Sequence, residues 1–282
     1  MTQRPQQDLQ SSFRGVLRSG LGVLGVLGLA WLQSGCGPMP VAPASTGKDI
    51  VTTSDEDATR KRARIRLQLA TAYYADGKLT TALDELKQAI AIDSGIAEAY
   101  NLRGLIYDAL QDNELAEDSF KRALQLDPRD AGAMHNYGWF LCRQGKYAPA
   151  ETLFAQAIET PQYRGLSQTY FVSGVCQIRQ GKLSEAETRL KRAYELDAGN
   201  PAVATNLAYV LYRQGEYERA RFYIRRVNDQ PDFVNAETLW LGARIERKLG
   251  NPQGTKVLTD QLVGRFPRSP EARAFESGRF ED

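Results

Sequence analysis

From residue 63 onward the chain repeats about every 34 residues, and what recurs is a rule about side-chain size rather than a fixed string of letters. The unit at 97–130 shows it most fully. Tyr100, Gly104, Tyr107, Ala116, Phe120, Ala123 and Pro128 stand at its positions 4, 8, 11, 20, 24, 27 and 32. Small residues at 8, 20 and 27 let two helices cross closely, bulky ones at 4, 11 and 24 fill the space beside the crossing, and Pro128 ends the second helix. A pair of helices this short cannot bury its apolar faces alone, so successive units must stack on one core.

The other units follow the same rule. Residues 63–96 place Leu69, Ala70, Tyr73, Gly77, Ala82, Leu86 and Ala89 in register. Residues 131–166 place Met134, Tyr137, Gly138, Leu141, Gly145, Ala150, Phe154 and Ala157, with two extra residues near Pro161. Residues 167–200 carry Tyr170, Gly174, Gly181, Ala186, Leu190 and Ala193, and residues 201–234 carry Leu207, Ala208, Leu211, Gly215, Ala220 and Ile224, with Val227 where Ala is usual. In the last unit, 235–269, Leu241, Gly242 and Ile245 match, Gly250 falls one place late, and the second helix around Gly254 reads as degraded. Ser269 as N-cap and Pro270 at the first helical position then start a short capping helix. The period and its small-residue positions resemble the tetratricopeptide repeat (TPR). That resemblance implies an all-α fold: a right-handed superhelix of about six helix-turn-helix repeats, 63–282, plus a short C-terminal capping helix.

Composition excludes several functions. With a formal charge of +2 and basic residues interspersed with acidic ones, the chain lacks the footprint of a nucleic-acid binder. Cys36, Cys142, Cys176 and His135 are too scattered for a metal site or for Cys/His catalysis. The two places where carboxylates crowd, Asp55-Glu56-Asp57 and Asp84-Glu85, read as linker and solvated helix face. The expectation is a protein-binding scaffold with no enzyme activity, cofactor or small-molecule substrate.

Residues 1–35 have a different character. Arg4, Arg14 and Arg18 precede an apolar run from Leu21 to Leu32, followed by Gln33-Ser34-Gly35-Cys36, the pattern of a secretory signal. The ending resembles the bacterial lipoprotein signal, in which cleavage leaves a diacylglycerol-modified Cys at the mature N-terminus; Gln33 stands where that signal usually has Leu. The resemblance implies lipidation of Cys36, a membrane tether through lipid, and, with Gly37 rather than Asp after the Cys, the periplasmic face of the outer membrane. An ordinary signal peptide with a chance Cys and an uncleaved anchor are the other readings. Cleavage before Cys36 would remove Arg4, Arg14, Arg18 and Asp8 and leave a neutral mature chain. Residues 36–62 lack periodic apolar residues and read as a flexible linker.

In a TPR stack the first (A) helix of each repeat lines the concave groove with positions 2, 5, 9, 12 and 13. In repeats 3 to 5 these positions hold Trp139, Phe171, Val175, Ile178, Tyr209 and Tyr212, more apolar than solvation requires. Packing between repeats is the competing account of several of them. Position 13 carries Arg143, Arg179, Arg213 and Arg247 in four consecutive repeats. Such a ladder can clamp carboxylates or carbonyls of an extended peptide, and equally each Arg can serve the end of its helix dipole. The first repeat offers Leu67 and Thr71 where some cochaperones place a carboxylate clamp, so that clamp is absent and a chaperone-tail binder is disfavoured. Cys142 and Cys176 on adjacent A helices can form a disulfide in an oxidising compartment, or remain free if the helices keep their usual separation.

Signal, repeats and short tail together resemble the type IV pilus biogenesis and stability lipoproteins, the pilotin group. The likeness is carried by Asn136-Tyr137-Gly138-Trp139-Phe140-Leu141 and by Arg265-Phe266-Pro267-Arg268-Ser269-Pro270-Glu271. It implies a partner in the outer-membrane secretin or another pilus assembly protein, with a role in secretin localisation, multimerisation or stability. A TPR lipoprotein adaptor for cell-wall or outer-membrane protein assembly is the alternative.

Overall fold

The computed structural model describes residues 57–280. The signal region, Cys36 and most of the linker lie outside the described residues. Within them thirteen α-helices and no strands occur. Repeat 1 is α1 (Ala58–Ala75) and α2 (Leu79–Ile92), repeat 2 is α3 (Ala97–Ala109) and α4 (Asn113–Leu126), and repeat 3 is α5 (Ala131–Arg143) and α6 (Tyr147–Glu159). Repeat 4 is α7 (Leu166–Arg179) and α8 (Leu183–Leu196), repeat 5 is α9 (Pro201–Arg213) and α10 (Tyr217–Asn228), and repeat 6 is α11 (Ala236–Lys248) and α12 (Pro252–Arg265). The capping helix α13 spans Pro270–Glu276. Each A helix packs chiefly on its own B helix, then on the helices of the next repeat, so contacts run only between neighbours along the stack.

The size rule works through one contact per repeat. A Cβ added at Gly104 would sit 2.6 Å from the Phe120 ring, one at Gly138 2.8 Å from Phe154, and one at Gly174 2.7 Å from Leu190. Phe120, Phe154 and Leu190 are fully buried, each worth about 2 to 3 kcal/mol of apolar burial. In these three repeats glycine at position 8 leaves room for the B-helix side chain, while repeats 1 and 5 carry Ala70 and Ala208 there, in the same core clusters as the buried Leu86 and Ile224. The turn between helices needs a left-handed residue, met by Gly145 at φ 74° and, in repeat 2, by Gln111 at φ 65°.

Two expectations are corrected. α1 begins at Ala58, inside the stretch to residue 62 that reads as linker. Asp57 caps it by accepting from the Thr59 N–H, and Arg60 and Arg66 pair with Asp93 and Glu85 of repeat 1, so contacts with α2 and the segment after it extend the helix beyond its apolar periodicity. The second helix of repeat 6 is not degraded. α12 runs fourteen residues, started by Asn251, whose side chain accepts from the Gly254 N–H, and by Pro252 at its first turn. Cap and packing outweigh the weak local pattern.

Candidate functional site

The helical period puts positions 5, 9, 12 and 13 on one face of each A helix, and the stack aligns those faces. At the junction of repeats 3 and 4, Trp139 lies between two guanidinium groups: Arg143 on its own helix, 6.0 Å from the ring centroid, and Arg179 on α7, at 5.2 Å. Arg143 also forms an ion pair with Asp108 on α3, so three successive A helices are joined through one ring and one carboxylate. Burial raises the pKa of Tyr74, one repeat further back, with the Asp108 charge adding to the rise and Arg143 opposing it.

The same junction is tied by buried groups as well. Cys142 and Cys176 form a disulfide with their α-carbons 5.9 Å apart, closer than the usual spacing of packed helix axes. His135 Nδ1 and Thr169 Oγ1 lie 2.8 Å apart in a hydrogen bond, and burial pushes the imidazole down to about 4, so it is neutral at physiological pH. Between repeats 2 and 3, the Asn136 side-chain amide donates to Asn101 Oδ1 at 3.1 Å.

Repeat 5 forms a second station. Arg213 donates to the Tyr209 hydroxyl at 2.7 Å and lies over its ring, 5.7 Å from the centroid. Arg179 and Arg213 are exposed, Trp139 and Tyr209 half-buried, so both stations present an aromatic edge and a cation to solvent. Phe171 is half-buried between the two core clusters that meet at repeat 4 and serves packing as much as surface.

Tyr212 is a correction. It is 7 % exposed, tilted against Tyr217 at 5.7 Å and covered by Arg244 at 4.8 Å, because position 12 of repeat 5 turns toward α10 and α11. Val175 and Ile178 are half-buried, Ile178 against the core of repeats 4 and 5. Arg247 stacks on Phe280 at 4.2 Å, on the chain's own tail. The four arginines therefore form not one open ladder but an inter-repeat clamp on Trp139, a single pair at Tyr209, and a contact with the tail. Asp108 and Thr169 were missed. Reading position 12 in repeat 2 would have exposed Asp108, whereas nothing in the period marks Phe280.

Sequence models of the tetratricopeptide repeat match residues 70–111, 97–130, 119–152 and 177–239. With six stacked helix pairs and the small-residue crossings, the chain is a TPR superhelix. It is similar to the type IV pilus assembly protein PilF of Pseudomonas aeruginosa, 28% identical over 233 residues that span 80% of this chain and 92% of that protein. The crystal structure of PilW, described as a widely conserved type IV pilus biogenesis factor, is 29% identical with a TM-score of 0.71, covering 76% of this chain and 98% of its own. The solved Pseudomonas aeruginosa PilF chain gives 25% identity and a TM-score of 0.72 over 79% of this chain and 100% of its own. The chain is thus a TPR protein related to type IV pilus biogenesis proteins.

Proposed function

We propose that this chain is an outer-membrane-anchored scaffold that promotes the localisation, multimerisation or stability of the type IV pilus secretin. The observation that carries the reading is the likeness to pilus assembly proteins over 76% to 80% of the chain. The signal ending in Ser34-Gly35-Cys36 supports a lipid tether at the periplasmic face. The contact surface is the groove of repeats 3 to 5, where Trp139 with Arg179 and Tyr209 with Arg213 offer aromatic anchors beside exposed cations.

The test is the double substitution Trp139→Ala with Tyr209→Ala in cells. Secretin multimers should fall at least tenfold while the helical signal and melting of the purified protein stay near wild type, since both rings are half-buried surface groups. Unchanged multimers would remove the groove from this role. Cys36→Ala, followed by membrane fractionation, checks the tether separately.

A further inference from the structure

The four arginines at position 13 differ in what the chain itself supplies to them. Arg143 takes its carboxylate from Asp108, which stands at position 12 of the A helix one repeat earlier. Further along the stack that preceding position 12 is Cys142, Ile178 and Tyr212, so it brings no acid to Arg179, Arg213 or Arg247. Arg247 has the Phe280 ring against it instead. Arg179 and Arg213 are exposed, and among the described residues no carboxylate pairs with either. The open part of the row is therefore its middle, two cations on the neighbouring helices α7 and α9.

Both free cations are held in place by a ring. The Arg179 guanidinium lies 5.2 Å from the Trp139 centroid, and that of Arg213 lies 5.7 Å from the Tyr209 centroid while donating to the Tyr209 hydroxyl at 2.7 Å. A ring against one face of a guanidinium leaves N–H groups at its edge, in the fork that matches a carboxylate. Position 9, which is Trp139 in repeat 3 and Tyr209 in repeat 5, is Val175 in repeat 4. Val175 and Phe171, one turn before it, are both half-buried, so an apolar strip on α7 joins the two rings. Neighbouring helix axes lie about 10 Å apart, a distance that an extended chain covers in about three residues.

We propose that the middle of the groove takes an extended segment of the partner that carries two acidic side chains three residues apart with an apolar residue between them. Its carboxylates stand to Arg179 and Arg213 as Asp108 stands to Arg143, the chain's own instance of this contact. The apolar residue lies on Val175 and Phe171. Because both cations are exposed, the acids contribute more to selection and encounter than to affinity, and added salt weakens binding. The proposal rests on the groove being the contact surface, whichever protein the segment belongs to.

The test titrates the purified chain, at low ionic strength, into two fluorescein-labelled peptides and follows anisotropy. One peptide is Gly-Ser-Asp-Leu-Pro-Glu-Ser-Gly, and the other has Asn and Gln in place of its acids. The acidic peptide should bind at least tenfold more tightly than the neutral one. Arg179→Gln together with Arg213→Gln should remove that difference with the helical signal unchanged, whereas Arg192→Gln, an exposed arginine of the B helix α8, should keep it. Equal binding of the two peptides would make the groove a reader of apolar segments and overturn the proposal, as would an equal loss with Arg192→Gln or no binding at about 1 mM peptide. Acid-dependent binding with unchanged secretin multimers in the cells carrying Trp139→Ala and Tyr209→Ala would keep this proposal and remove the secretin as the partner. Lost multimers without acid dependence would do the reverse.

Discussion

Repeats 2 to 4 and repeat 6 solve the same packing problem in opposite ways. In repeats 2 to 4 the crossing is closed from within, by a buried ring or Leu of the B helix pressed onto position 8 at 2.6 to 2.8 Å from where a Cβ would stand. In repeat 6 the equivalent Gly242 faces the side-chain ends of Asn228 and Leu258 at 3.1 and 3.2 Å. Its closure comes from outside: Asn228 of the preceding repeat donates to the Thr238 carbonyl at 3.1 Å, and α13 and Phe280 cover the far side. An internal repeat is held by its own sequence and by two neighbours, a terminal one by one neighbour and whatever the tail supplies. The candidate surfaces differ in the same sense. The station at Trp139 is tied across the repeat junction by the disulfide, whereas the one at Arg247 is completed by a short segment beyond the last helix.

The largest expected effect probes the tie at the centre. Replacing Cys142 and Cys176 together by Ala should lower stability by about 3 to 4 kcal/mol, the chain-entropy value for closing a loop of this length, as read from urea midpoints. A loss below about 1 kcal/mol would mean that packing alone holds the junction of repeats 3 and 4. Next in size, Gly104→Ala should cost about 1 to 3 kcal/mol, because the added methyl meets a ring with nowhere to go. Gly242→Ala should stay within about 0.5 kcal/mol, since a gain in helix propensity of up to about 1 kcal/mol offsets small shifts of Asn228 and Leu258. Equal losses at the two sites would break the contrast between internal and terminal closure.

Against the loss at Gly104, a smaller effect near neutral pH is a pH dependence at the repeat 3 to 4 junction. His135 is depressed to about 4 by burial, so the unfolded chain takes up its proton first as pH falls. The stability owed to the neutral ring is present above about pH 6.5 and lost progressively toward pH 4, about 1 kcal/mol of it by pH 6. Glu117 has a different window. Its bonds with Lys146 and Lys121 hold it down to about 2, so its contribution persists above its unfolded value and fades only as pH falls from there toward 2. Stability curves of wild type and His135→Gln should therefore diverge between pH 8 and 6; parallel curves would show that the imidazole is not buried in this way.

The helices were legible in the sequence almost residue by residue, and the exceptions are instructive. α3, α5 and α9 start at Ala97, Ala131 and Pro201, where the period begins each repeat. α1 starts earlier and α12 runs longer than the pattern predicts, both where a cap and contacts outside the signature positions supply the missing preference. In the site, Trp139 and Arg179 could be placed because each lies at a position whose direction is set by its own helix. Tyr212 could not, because whether position 12 faces the groove or the interior depends on Arg244 and Tyr217 in the next two helices. Arg143 was legible as a cation on the groove, but its engagement by Asp108 was not.

By itself the sequence determined a stack of six helix pairs, the glycine beneath the buried side chain at the crossings of repeats 2 to 4, and which face of each A helix carries aromatic and basic residues. These are properties of one repeat, encoded by spacing along a single helix pair. Only the tertiary structure decided that Cys142 meets Cys176, that Trp139 is shared by arginines of two repeats, that Tyr212 is interior, and that Phe280 returns to lie under Arg247. Each of these joins residues on different repeats or beyond the last one. Their meeting depends on how far one unit is rotated and shifted on the next, and a 34-residue period does not contain that quantity.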